Sequence, residues 1–250
     1  MKRIYLTAFL LAGSLFSYAQ KGFILQHQPK NGFVTIGGGV SLPVSKFAVC
    51  SSRDEQAGLA RQGTMASLSA GYRIVGPVGL MVRGELFRNR VHAEALLDGL
   101  YRAQGDSWTA NSGYWAVTSI TAGPYVNIPL GRWTMQFRAT AGRATAICPS
   151  TSLRGRFLDI PMSIETAEAR AVARSYNGGL TVRYRLGRST AMQLNTDYSR
   201  ADFTFQDMKT ATNNGVGQGQ TNLMTSFKPI SVVNLSVGLT VLFGNRQRVF

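Results

Sequence analysis

Residues 231–243 read SVVNLSVGLTVLF. From Val233 onward every second position is apolar (Val233, Leu235, Val237, Leu239, Val241, Phe243), and Asn234, Ser236, Gly238 and Thr240 fill the positions between. A period of two puts the two sets on opposite faces of an extended chain, the pattern of a half-buried β-strand and not of a helix. Earlier segments keep it. Met192, Leu194 and Tyr198 alternate with Gln193, Asn195, Asp197 and Ser199, and Tyr176, Leu180, Val182, Tyr184 and Leu186 alternate with Ser175, Asn177, Thr181, Arg183 and Arg185. Similar runs occupy about 33–42, 64–74, 78–90, 114–128 and 132–145. That makes eight strands, each close to the ~9–11 residues a tilted strand needs to cross a membrane.

The connections alternate in length. Val75-Gly76-Pro77, Pro129-Leu130-Gly131 and Gly187-Arg188-Ser189 are tight turns, whereas 43–62, 92–111, 147–168 and 206–229 are long and polar. Bacterial membrane barrels sort their connections in this way, short turns facing the periplasm and long loops facing outward. On the apolar faces Tyr72, Trp133, Tyr184 and Phe243 sit near the turn ends, and Tyr114, Tyr176 and Tyr198 near the loop ends. Two rings of amphipathic aromatics suit the two interfaces of a bilayer. The expected fold is all-β: an eight-stranded antiparallel up-and-down transmembrane β-barrel over 32–243, with a periplasmic segment 20–31 before it and a periplasmic tail 244–250 after it.

Composition agrees with this class. The 250-residue chain is 44% hydrophobic and 16% charged, too apolar for a disordered chain and poor in the charges that coat helical proteins. Residues 1–19, MKRIYLTAFLLAGSLFSYA, combine basic Lys2 and Arg3, an apolar stretch and a small-x-small end at Ser17 and Ala19. This is the form of an export signal cut before Gln20. Lys and Arg number 27 against 12 Asp and Glu, a net +15, or +13 once Lys2 and Arg3 are removed. The basic residues are scattered and lack the basic-aromatic modules of nucleic-acid binders, so no nucleic-acid partner is expected. Arg73, Arg188, Arg246 and Arg248 fall near turns and tail; Arg53, Arg61 and Arg102 fall in long loops, where contact with lipopolysaccharide phosphates competes evenly with simple solubility.

The alternation, turn asymmetry and last strand resemble the small outer-membrane β-barrel proteins of Gram-negative bacteria, and the export signal ending Ala19-Gln20 resembles the Bacteroidota branch. In SVGLTVLF, residues 236–243, the polar Ser236 followed by Gly238, Val241 and Phe243 is similar to the barrel-assembly signal of that class. The resemblance implies recognition by the outer-membrane barrel-assembly machinery and residence among outer-membrane lipid and lipopolysaccharide.

Chemistry is sparse. His27 precedes the first strand, and His92, in Arg90-Val91-His92-Ala93-Glu94, lacks a Ser two residues away. A solvated loop histidine is the expected role rather than a catalytic one. No His, Cys or carboxylate spacing suggests a metal, and Gly37-Gly38-Gly39 fits a strand rather than a phosphate loop, so no cofactor is expected. The polar face would line the interior with Arg83, Glu85, Arg138, Arg183 and Asp197, and an eight-stranded barrel is narrow enough for side chains to fill. Arg183 and Asp197 are expected to neutralise one another there. Cys50 and Cys148 fall in two outer loops, and a disulfide between them is expected after passage through an oxidising periplasm. The leading functional expectation is a non-catalytic barrel whose loops bind surface lipid, polymer or an envelope protein. A low-conductance porin-like channel and a lipid-modifying enzyme are the alternatives.

Overall fold

The computed structural model describes residues 30–51, 53–99, 108–157, 160–213 and 219–244. The export signal, His27, Arg102, Arg246, Arg248 and Phe250 lie outside the described residues. Eleven strands follow in order: β1 (Gly32–Pro43), β2 (Ala60–Val75), β3 (Val78–Val91), β4 (Trp108–Ser112), β5 (Tyr114–Leu130), β6 (Trp133–Cys148), β7 (Thr151–Phe157), β8 (Ile160–Thr166), β9 (Ala169–Arg185), β10 (Thr190–Asn213) and β11 (Gly219–Phe243). Short 3-10 turns cover Ser45–Ala48 and Ala93–Gly99.

Eight of these strands, β1, β2, β3, β5, β6, β9, β10 and β11, pair antiparallel with their neighbours in that order. β11 then returns to β1, from Gly32↔Phe243 to Pro43↔Val232, and the ring closes with no free edge. The expected eight-stranded up-and-down barrel is the observed one. Its tight turns use glycine where a side chain would be strained: Gly76 has φ +54° and Gly131 φ +68°.

Three of the long connections are more regular than their polarity suggests. The 206–229 connection is mostly ladder, because β10 and β11 stay paired up to Asn213↔Gly219. β4 and β7 arise within 92–111 and 147–168, and β8 joins them to the upper end of β10 through Thr210↔Thr166 to Asn213↔Ser163. These strands are rich in Thr, Ser and Asn, so they carry the β-propensity of threonine without an apolar face to announce it. Beyond Tyr198, β10 leaves the apolar belt but keeps its hydrogen bonds. Its ladder runs for up to roughly 45 Å past that tyrosine at about 3.3 Å per residue.

The outer wall of the ring is apolar. Ile36 is 67% exposed and Leu239 61%, with Leu68, Leu80, Val82, Ile120, Phe137, Leu194 and Val237 also exposed around the circumference. A contiguous belt of this kind is unstable in water and is stable where lipid covers it. At the turn end Tyr72, Gly32 and Phe243 share one rung, so the two rings flank a position without a side chain. Trp133 packs on Tyr184 in the same ring, centroids 4.7 Å apart. Tyr114, Tyr176 and Tyr198 are exposed at the other end of the belt. Pairing on both sides of each strand in the belt satisfies the backbone, the condition for crossing a bilayer with strands.

A closed ladder of this kind resists dodecyl sulfate until heated. The protein extracted from membranes is expected to migrate faster on a gel before boiling than after it, and a single mobility under both conditions would contradict the closed ring.

Candidate functional site

The interior is filled in two tiers. The lower tier, toward the turns, is a polar network built on the inward positions of β3, β6, β9, β10 and β11. Arg83 Nε donates to Glu85 Oε1 at 2.7 Å and its Nη2 to Asp197 Oδ2 at 2.8 Å. Arg138 Nε donates to Asp197 Oδ1 at 2.9 Å, and Nη2 of the same guanidinium reaches the same oxygen. Glu85 Oε2 accepts from Asn177 Nδ2 and Ser199 Oγ, each at 3.2 Å. All four charged groups are nearly inaccessible, with side-chain exposures of 1% or less. A charge held this far from water is stable only with a close partner and filled hydrogen bonds.

Register explains which groups meet. Arg138 and Asp197 lie on the same rung, with Gly179 between them on β9. The glycine is required there, because a Cβ would fall against Asp197 Oδ1 and Arg138 Nε. Without that side chain, the two charges bond directly across the middle strand.

Arg183 corrects the expected pairing. It forms no ion pair with Asp197. Its own rung carries Thr134 and Gln193, and the guanidinium donates to Gln193 Oε1 and to Gln136 Oε1 at 3.0–3.1 Å. Its Cζ also sits 4.6 Å from the centroid of the Phe33 ring, a favourable contact between a cation and a π-face. Among the described residues the five buried charges are thus three guanidiniums and two carboxylates, a net of +1. The network then runs on through neutral groups: Arg138 Nη1 to Thr181, Thr181 to Asn195 at 2.7 Å, Gln193 to Asn195 at 2.9 Å and Asn195 to Ser236 at 3.1 Å.

The upper tier is an apolar plug that the sequence reading missed. Met65, Phe87, Trp115, Val117, Phe203, Phe205, Met208, Ile230 and Val232 pack inside the loop end of the ring, together with the alanines of β6 and β9. Phe47, carried by the first long connection, inserts among them and meets the Trp115 ring edge-on at 5.6 Å. Trp115 Nε1 donates to the Gly58 carbonyl at 2.8 Å, and Lys228 Nζ donates to the carbonyls of Glu55 and Ala57 at 2.6 and 2.9 Å. These bonds pin the connection over the mouth. Within it, Lys46 Nζ donates to Asp54 Oδ2 at 2.7 Å, and that bond holds the Asp54 carboxyl below its usual range.

The remaining sequence candidates separate. Cys50 and Cys148 are unbonded thiols, the first exposed and the second inside the apolar plug, so the expected disulfide is absent. Cys148 ends β6 with its side chain packed in the plug, whereas Cys50 is exposed in the first long connection, so the two thiols face different surroundings. His92 Nδ1 accepts from the Ala95 N–H at 3.1 Å and so caps the 3-10 turn it precedes. Of the assembly-signal residues, Ser236 points inward to Asn195, Gly238 pairs with Gly37 across the closing seam, and Val241 and Phe243 are exposed on the outer belt.

Because Asp197 serves two guanidiniums and Arg183 serves none of the carboxylates, the two charges are unequal in their effect on stability. Asp197→Asn is expected to lower unfolding stability by about 3–5 kcal/mol, the usual consequence of breaking a buried ion pair. Arg183→Gln is expected to cost clearly less. Denaturant titration of the protein refolded in lipid vesicles measures both, and an equal or larger loss for Arg183→Gln would contradict the assignment.

No model of a protein family matches the chain, and no curated protein does. Among solved structures, the chain is similar to Neisserial surface protein A, with TM-score 0.44, 12% identity and coverage of 85% of this chain and 97% of that one. It is similar to a major outer membrane protein from Thermus thermophilus, with TM-score 0.45, 12% identity and coverage of 85% and 99%. It is also similar to the outer membrane protein OprG from Pseudomonas aeruginosa, with TM-score 0.41, 14% identity and coverage of 86% and 97%.

Proposed function

We propose that the chain is a non-catalytic outer-membrane barrel, exported through the periplasm, that passes no solute through its lumen and works through the ladder and loops projecting beyond the membrane. The observation that carries this reading is the double seal of the interior. Arg83, Arg138, Glu85 and Asp197 fill the lower lumen with mutually neutralising groups, and Phe47, Trp115, Phe203 and Phe205 close the upper lumen. Eight strands give a ring just wide enough to be filled by its own side chains. His92 is engaged in capping a turn, which argues against a catalytic use of the one described histidine.

The upper ends of β10 and β11, with β4, β7 and β8 laid against them, make a rigid extension of the wall, and rigid scaffolds carrying exposed groups are common binding platforms. Leu223 is 65% exposed there and Met224 55%, with Phe227 and Ile160 also open. These side chains lie on the extension rather than on the belt. Their chemistry suits an envelope protein or surface polymer with an apolar patch of its own. The short turns then face the periplasm, and the closing strand β11 is the part read by the assembly machinery.

Recording from the purified protein in a planar bilayer tests the sealed-lumen reading. Wild-type protein is expected to give no stable single-channel steps. Large, stable steps in the wild type would refute it.

A further inference from the structure

Arginines cluster on the outer wall just beyond the loop-end tyrosines. Arg143 on β6 faces Arg174 on β9 directly across the ladder, and Arg200 on β10 stands opposite Tyr176. All three side chains are exposed on the lipid-facing side of their strands. Like charges placed directly opposite in a sheet repel unless an anion lies between them. Arg200 approaches Asp202 at 3.3 Å and Arg170 approaches Glu168 at 4.0 Å. Among the described residues, Arg143 and Arg174 have no ion-pair partner.

Two features of the wall adjoin this cluster. β9 and β10 are paired only as far as Ser175↔Ala201; above that rung β9 stays with β6 and β10 stays with β11. The strands part into a cleft of about 700 Å³ lined by Arg170, Val172, Arg174, Tyr176, Arg200 and Asp202. Below it, on the belt itself, Ala122, Gly123, Ala139, Ala141 and Gly178 leave a shallow groove of about 480 Å³ across β5, β6 and β9, bordered by Tyr176 and Tyr198. Tyr176 and Arg200 border both spaces.

We propose that cleft and groove together hold one phosphorylated lipid of the loop-side leaflet, its phosphates between Arg143, Arg174 and Arg200 and an acyl chain along the small-residue groove. The tyrosines mark the depth at which headgroups begin, and the three guanidiniums stand at or just beyond that depth, where phosphates lie. Planar guanidiniums bind phosphate oxygens in pairs and favour phosphate over zwitterionic or neutral headgroups. The groove explains why a lipid and not a free anion is the occupant, since it offers apolar surface at acyl-chain depth. This site rests on the bilayer embedding and is independent of any partner bound by the extension.

Native mass spectrometry of the full mature protein in detergent, titrated with lipid A, phosphatidylcholine or inorganic phosphate, tests it. Wild-type barrel is expected to retain one lipid A in preference to phosphatidylcholine, with inorganic phosphate failing to displace it. Combined Arg143→Gln, Arg174→Gln and Arg200→Gln is expected to weaken retention at least roughly tenfold, the effect of losing charge-assisted hydrogen bonds. Ala141→Leu, which fills the groove with a side chain that lipid tolerates, is expected to weaken it as well. Arg188→Gln, on a turn at the opposite end, is expected to leave it unchanged. Equal retention by wild type and both cluster and groove variants, indifference to headgroup, or displacement by inorganic phosphate would overturn the proposal. Loss of heat-dependent gel migration in the wild type would instead contradict the embedding itself.

Discussion

Asp197 sits where an eight-stranded ring leaves no room for water to solvate a charge, and it is held by two guanidiniums, one from β6 two strands away and one from β3 on the opposite wall of the ring. That constraint reaches outward through the structure. Arg138 must share its rung, Gly179 must carry no side chain, and Glu85 must balance the second side of Arg83. Each requirement fixes a strand relative to its neighbour, so the ion network also fixes register. A slip of one residue in β10 would turn Asp197 onto lipid and the apolar phase of that strand into the lumen.

The same alternation serves both solvents of the molecule. In β10 one phase runs Gln193, Asn195, Asp197, Ser199, Ala201, Phe203, Phe205, all inward, passing from polar network to aromatic plug without a break in pleat. The other phase runs Met192, Leu194, Thr196, Tyr198, Arg200, Asp202, Thr204, passing from lipid to headgroup depth to water. Inside and outside change character at about the same rung, where the ladder between β9 and β10 also ends. The bulge between Phe205 and Met208, with Asp207 at φ +54°, lets both of those side chains point into the plug. The opening in the wall, the arginine cluster and the top of the polar network therefore coincide because one change of environment governs all three.

Much of this was legible from the chain. The phase of each strand assigns Arg83, Glu85, Arg138, Arg183 and Asp197 to the interior, and the unequal connections give the order of strands. The partners of those charges were not legible. Whether Asp197 meets Arg138 or Arg183 depends on which residues share a rung, and rungs are set by how the ring closes and not by spacing along one strand. The plug was missed for a related reason. Phe203 and Phe205 continue the inward phase of Asp197 and Ser199, but their outward neighbours are polar, so a reading keyed to an apolar outer face stops short of them. The threonine-rich extension was hidden in the same way, and Cys148, placed in a loop by sequence, instead ends β6 with its side chain in the plug.

Arg138 and Asp197 act as a unit that holds the lower lumen together, and a double-mutant cycle tests this coupling most directly. Unfolding stabilities of wild type, Arg138→Leu, Asp197→Leu and the double variant would be measured in the same lipid vesicles. Direct contact across Gly179 requires the double variant to be less destabilised than the sum of the two single changes, with a coupling of about 1–3 kcal/mol. Additive losses would mean that the two groups do not sense one another, and the account of the sealed interior would be wrong.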